Sequence, residues 1–154
     1  MSTRSKNSCS ATPLQDRVFV AILAAADALA LEAEQLLKSA GLSGAQYNVL
    51  RILRGAEPQG LPCRGIGDRM ISHDPDITRL LDRMEKRGLI SRERQTDDRR
   101  VVLTRITPQG LQALKPLDQP VHELHQRQFH HMPTARLKAL AQLLEELRNR
   151  GAAQ

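Results

Sequence analysis

The sequence predicts a mainly α-helical protein with one small β-hairpin, and three observations carry that reading. Hydrophobic residues make up 40% of the 154 and aromatics only 2%. Leu, Ala, Ile and Val must therefore fill the interior, a composition that leans towards helices. Apolar residues recur at helical spacing through most of the chain, in runs that open on Pro, Ser, Thr or Asp and stop at Gly. One stretch breaks the pattern: "LISRER" and "RVVLTRI", around the polar apex "QTDDR", read as two strands of about five residues each.

Residues 1–11 are polar and basic, the composition of a disordered tail. Thr12-Pro13 opens a long helix, the hydroxyl as N-cap and the proline where a missing N–H costs nothing. Its apolar residues are Leu14, Val18, Ile22, Ala25, Leu29, Ala33, Leu36 and Leu37, and Gly41 closes it. Ser43 caps a second helix with Tyr47, Leu50 and Leu53 inward, ended by Gly55. "AEPQGLP" reads as a loop and "CRGIGDRM" as a short third helix weakened by Gly65 and Gly67. In "SHDPDITRLLDRMEKRG", Asp74 is the expected cap, Pro75 the first helical residue, and Asp76 a carboxylate matched to the helix dipole. Ile77, Leu80, Leu81 and Met84 form its apolar face and Gly88 its end.

After the hairpin, Thr107-Pro108 starts another helix, with Leu111, Leu114, Leu117, Val121 and Leu124 inward and a break expected near Pro116 and Pro120. "MPTARLKALAQLLEELRNRG" supplies the last helix, striped by Leu137, Leu140, Leu143, Leu144 and Leu147. Three helices followed by a hairpin make a winged helix-turn-helix. The expected organisation is a tail (1–11), an N-terminal dimerisation helix (12–40), the winged helix-turn-helix (41–107) and C-terminal dimerisation helices (108–154). The terminal helices carry apolar stripes that nothing in their own chain is large enough to cover, which points to a homodimer.

The formal charge of +6 favours a polyanionic partner, nucleic acid before membrane. Residues 1–70, 71–105 and 106–154 each net +2, so placement of the charges matters more than their sum. Cys9 and Cys63 are too few for a disulfide framework. The N-terminus lacks the apolar core of a secretory signal, and the longest apolar stretch is too short to span a bilayer. A soluble, intracellular protein is expected. No nucleophile–base order, phosphate loop or paired-carboxylate setting stands out, so no enzyme is expected, and no cofactor.

With Ile77–Met84 turned to the core, Pro75, Asp76, Thr78, Arg79, Asp82, Arg83 and Lys86 face outward. A recognition helix reads bases through its first turns. Thr78 and Arg79 are thus the base-edge candidates, the arginine suited to guanine O6/N7. Asp76 either accepts from cytosine N4 or serves only the helix dipole. Arg83, Lys86 and Arg87 suit phosphate or solvent.

The run "PDITRLLDRMEKRGLISRERQTDDRRVVLTRITPQG", Pro75 to Gly110, closely resembles the MarR (multiple antibiotic resistance regulator) family of bacterial transcription factors, and the likeness extends back to about Leu42. Members show a similar Thr-Arg-Leu, then Glu-Lys-Arg-Gly-Leu, Asp-Arg-Arg, and Leu-Thr or Ile-Thr before Pro-x-Gly. The resemblance implies a sequence-specific regulator of double-stranded DNA, a repressor acting as a homodimer on a palindromic operator, in the bacterial cytoplasm at the nucleoid. Asp98 and Arg100 leave an extended chain on the same face. In such proteins an Asp-x-Arg presents the arginine to the minor groove, so the resemblance gives Arg100 that role and Asp98 the task of orienting it. A surface salt bridge without a DNA role is the plainer alternative. Arg92, Arg94 and Arg99 are phosphate candidates.

Family members commonly bind anionic phenolic or lipophilic effectors between the dimerisation helices and the DNA reader. Tyr47 and Arg51 are the ligand-binding candidates that this implies. A thiol-responsive regulator would use Cys63, at the start of the third helix; the peroxide-sensing branch places its cysteine early in the first helix, where this chain has Phe19. A metal-responsive one would use His122, His125, His130 and His131, though only Glu123 accompanies them and no metal site is expected. A protein-interaction module on a winged-helix scaffold is the rival from another class; it would not need Arg79 and Arg100 where they stand.

Overall fold

The structure, a computed structural model, describes residues 12–71, 76–95 and 100–149. Seven α-helices and three short strands follow one another there: α1 (Leu14–Ser39), α2 (Gly44–Gly55), β1 (Leu61–Pro62), α3 (Cys63–Gly67), α4 (Ile77–Lys86), β2 (Ile90–Arg94), β3 (Val102–Ile106), α5 (Pro108–Leu114), α6 (Asp118–Phe129) and α7 (Thr134–Asn149). The protein is mainly helical with a small antiparallel sheet, a winged helix-turn-helix.

The caps explain most boundaries. Ser43 and Gln46 form a reciprocal capping box at the start of α2. Thr107 caps α5, its hydroxyl accepting from the Gly110 N–H at 3.0 Å and donating to the Gly88 carbonyl at 2.6 Å. At Gly41 and Gly88 the backbone turns left-handed, with φ of 72° and 73°. In each case the next residue's N–H reaches back to the helix, Leu42 to Leu37 and Leu89 to Met84. These are Schellman stops, and only glycine adopts their φ without strain.

The chain departs from expectation in four places. At α1, Pro13 itself holds the N-cap position and no side chain caps the helix, so Thr12 does not. In α3 the helix lasts only five residues, consistent with the cost of two glycines in so short a segment. The loop before it contributes a third strand: Leu61 and Pro62 pair with Thr104 and Leu103, giving the sheet order β1-β3-β2. Finally, α4 begins at Ile77 with Asp76 at the N-cap position; Asp74 and Pro75 lie outside the described residues.

The core lies between α2, α4, the sheet and α5. Val49, Leu50 and Leu53 from α2 meet Ile66 of α3, Leu80, Leu81 and Met84 of α4, Ile90 and Ile106 of the sheet, and Leu114 and Leu117 beyond it. The expected proline break is a 3-10 turn over Lys115–Leu117 between α5 and α6. By contrast, α7 buries nothing and α1 buries only Leu37. Phe19, Val20, Leu23, Leu143 and Leu147 remain more than half exposed. No described helix is long and apolar enough to cross a membrane.

Candidate nucleic-acid interface

Helix α4 separates two kinds of surface. Leu80, Leu81 and Met84 are buried and Ile77 packs against them, so residues on the opposite side must face solvent. Thr78, Arg79, Arg83 and Lys86 are all exposed. Asp76 does not cap the helix through its side chain; its carboxylate lies 3.2 Å from the Arg79 Nε instead. That pair restrains the arginine at the helix's leading end, where a groove-reading helix makes its base contacts.

The wing stands beside it. In the β2–β3 ladder Arg92 pairs with Thr104 and Arg94 with Val102. Arg94 is exposed, as is Arg100 at the return towards β3. Asp98 and Arg99, with Asp97, lie outside the described residues. Arg105 ties the wing down, donating to the Pro58 carbonyl at 3.0 Å and to Glu93 at 3.1 Å.

Arg92 has a partner set that the strand pattern did not reveal. Its Nη2 lies 2.6 Å from Asp82 and 2.5 Å from Glu85, and its Nε donates to the same Glu85 oxygen at 2.9 Å. The hydrogen bond to Glu85 is the leading reason that its pKa is raised further; burial opposes this, and Asp82 reinforces it. The guanidinium therefore joins the wing to α4, its one positive charge shared between two carboxylates there. Two acids at i and i+3 near the end of a helix, followed by an arginine strand, were the available signal. Arg87 is likewise committed, donating to the Gly41 carbonyl at 2.9 Å and to Gln46 at 3.1 Å.

A cavity of about 400 Å³ opens between α1, α2 and α6, with Tyr47, Arg51, Glu34 and His125 among its lining. The Arg51 guanidinium lies 5.8 Å from the centre of the Tyr47 ring, within cation–π range. Desolvation pushes the Tyr47 hydroxyl above its ordinary pKa, with Arg51 pulling the other way. Nearby, Arg54 and Asp118 form a bidentate pair at 2.9 Å on both sides, joining α2 to α6.

The remaining candidates are dispersed. Cys63 is half-buried against the core. His122 contacts Gln126, His130 contacts the Arg127 carbonyl, and the His130 and His131 rings meet edge to face. Among the described residues, no three His, Cys, Asp or Glu side chains are grouped to hold a metal ion.

The MarR family model matches residues 42–102, from the start of α2 into the wing. The homoprotocatechuate degradative operon repressor of Escherichia coli is 31% identical over 134 residues, spanning 86% of this chain and 88% of that protein. Among solved structures, a MarR transcription factor from Planctomyces limnophilus is 38% identical, with 86% of this chain and 96% of that one covered and a TM-score of 0.66. A mutant MarR from Escherichia coli, complexed with operator DNA, shares the fold at 21% identity, with 88% and 99% covered and a TM-score of 0.77.

Proposed function

The chain belongs to the MarR family of transcriptional regulators, and we propose that it binds a palindromic operator as a homodimer and represses a neighbouring gene. One observation carries this reading: α4 buries Leu80, Leu81 and Met84 in the core while aiming Thr78, Arg79, Arg83 and Lys86 outward beside a wing that bears Arg94 and Arg100. Thr78 and Arg79 read base edges in the major groove. Arg83, Lys86, Arg94 and Arg99 contact phosphate, and Arg100, oriented by Asp98, enters the minor groove. Asp76 acts through Arg79, which leaves little carboxylate for a cytosine. Arg92 acts as the clasp between wing and helix.

The exposed stripes of α1 and α7 support pairing with a second copy, which would set two α4 helices about one turn of duplex apart. The cavity beside Tyr47 and Arg51 suits a small aromatic or anionic effector, the arginine supplying charge and the ring a stacking face. The whole is a cytoplasmic binding function at the nucleoid, without a catalytic step. Selection of bound sequences from a random duplex pool, repeated over a salt series, tests it. An enriched inverted repeat whose affinity falls steeply with salt is expected. No enrichment and a flat salt response would favour a protein-interaction module.

A further inference from the structure

Gly41 is the turn between α1, which carries the pairing face, and the part of the chain that reads DNA. Residues 40–43 separate α1 from α2, and Leu37 alone of α1 is buried. A side chain at Gly41 would meet nothing nearer than the Arg87 Nη2, at 3.9 Å, so packing leaves this turn open. Glycine adds the widest backbone freedom of any residue. Hydrogen bonds hold the turn instead, and one of them comes from another element. Arg87, the C-cap of α4, donates from Nη2 to the Gly41 carbonyl at 2.9 Å and from Nη1 to the Gln46 Oε1 at 3.1 Å. That same Gln46 oxygen accepts the Ser43 N–H at 3.1 Å and closes the capping box of α2. On its backbone side, the Arg87 carbonyl accepts from Gln109 of α5 at 3.1 Å. One residue thus gathers the end of α1, the start of α2, the end of the recognition helix and α5. Its guanidinium, which the sequence offered to phosphate or solvent, is turned back onto the protein.

We propose that Arg87 is a positioning residue that locks the Gly41 turn and so sets the operator spacing the homodimer accepts. A planar fork that engages two acceptors at once fixes the direction in which α1 leaves the DNA reader. Because α1 carries the pairing face, that direction decides how far apart two α4 helices stand. One base pair more or less between half-sites moves the second by about 3.4 Å along the duplex and rotates it around the axis. A stiff turn cannot follow that shift, whereas a loose one does. The chain's second connection, from α5 to α6, is braced by Arg54 on Asp118, so loss of Arg87 loosens the spacing without abolishing it. The inference rests on the DNA-binding and pairing reading above and adds what sets the spacing.

Affinity is measured by fluorescence anisotropy on the selected palindrome, on versions with one base pair added at or removed from its centre, and on a single half-site. Arg87→Met removes the fork. It should cut the native preference for the selected spacing by about five-fold, the scale of one modest hydrogen bond. Half-site affinity and the slope of log K against log salt should stay native. Arg87→Lys keeps the charge without the fork and should relax the spacing in the same way. A spacing preference that stays native in Arg87→Met would overturn the proposal. So would a salt slope reduced by about one unit in Arg87→Met and restored by the lysine, the mark of a phosphate contact. A native protein that binds every spacing alike would instead remove the paired reading of the operator, and one that retains no duplex the DNA-binding reading itself.

Discussion

Arg92 of the wing and Glu85 of the recognition helix meet through two guanidinium nitrogens on one carboxylate oxygen, at 2.9 and 2.5 Å. Asp82 takes a further contact from the same guanidinium at 2.6 Å. Three partly exposed charges thus tie the wing to α4.

Arg92→Met should break this clasp and leave two carboxylates uncompensated beside the operator. Its stability cost is expected near ~1 kcal/mol by urea unfolding, well below that of a buried pair, because solvent screens all three groups. Operator affinity should fall on every sequence while the dependence of log K on log salt keeps its slope. A slope reduced by about one unit would instead make Arg92 a phosphate contact.

Arg79→Ala should cost about 1–3 kcal/mol of binding and relax preference at one base position. The Asp76 carboxylate, 3.2 Å from the Arg79 Nε, supports the guanidinium in the free protein, so Asp76→Asn should weaken the same preference less. Competition with single-base operator variants measures both. Equal loss on all sequences would leave Arg79 as a backbone contact.

Most signals written within a few residues survived into the structure, the Thr12 cap being an exception, and those spread over distant residues did not announce themselves. The Gly88 stop, the Thr107-Pro108 start and the break at Pro116 are local chemistry, and each lies where its residues demand. β1 is two residues long and exists because Leu61 finds Thr104 across the sheet; no periodicity can show in so short a segment. The same holds for the interface. Outward residues of α4 follow from its apolar stripe, but the partners of Arg92 sit seven and ten residues away on another element. Strand spacing alone marked Arg92 as one more cation. Tyr47 and Arg51 entered by resemblance, and the cavity they line depends on how α1 and α6 pack, which composition does not encode.

Arg100→Ala should weaken binding most on operators with A·T-rich flanks, where a narrow minor groove attracts a guanidinium. Asp98→Ala should reproduce part of that loss if the carboxylate orients Arg100. Anisotropy against duplexes differing only in their flanks reads the effect. An unchanged flank preference would remove the minor-groove role and leave the pair as surface charge.

The Arg54–Asp118 pair sets a pH dependence. The hydrogen bond from Arg54 holds the Asp118 carboxyl below its ordinary value; burial opposes this, and the charges of Arg54 and Arg51 assist. A carboxylate depressed in the folded state contributes stability above its unfolded pKa of about 3.9 and loses it as pH falls through the lower folded value. Asp118→Asn should therefore cost less than about 1 kcal/mol at neutral pH, since the group is half exposed. It should also shed part of the acid-induced loss below about pH 4. Thermal unfolding from pH 6 down to pH 2 follows it; parallel curves for the two proteins would mean the pair adds nothing.

Leu143 and Leu147 on α7 are 63% and 55% exposed in the single chain, so glutamates there should leave the protomer's own fold almost untouched. Pairing is another matter. Burying one leucine stabilises by about 1.5–3 kcal/mol, and a two-fold interface uses each position twice. The Leu143→Glu, Leu147→Glu double variant should therefore weaken self-association by on the order of a hundred-fold or more, read by sedimentation over a concentration series. Operator affinity should fall with it, because one protomer holds only a half-site. A single half-site duplex should then bind native and variant chains alike. A variant that stays dimeric would move the interface off this face of α7 and onto the exposed Phe19 and Leu23 of α1.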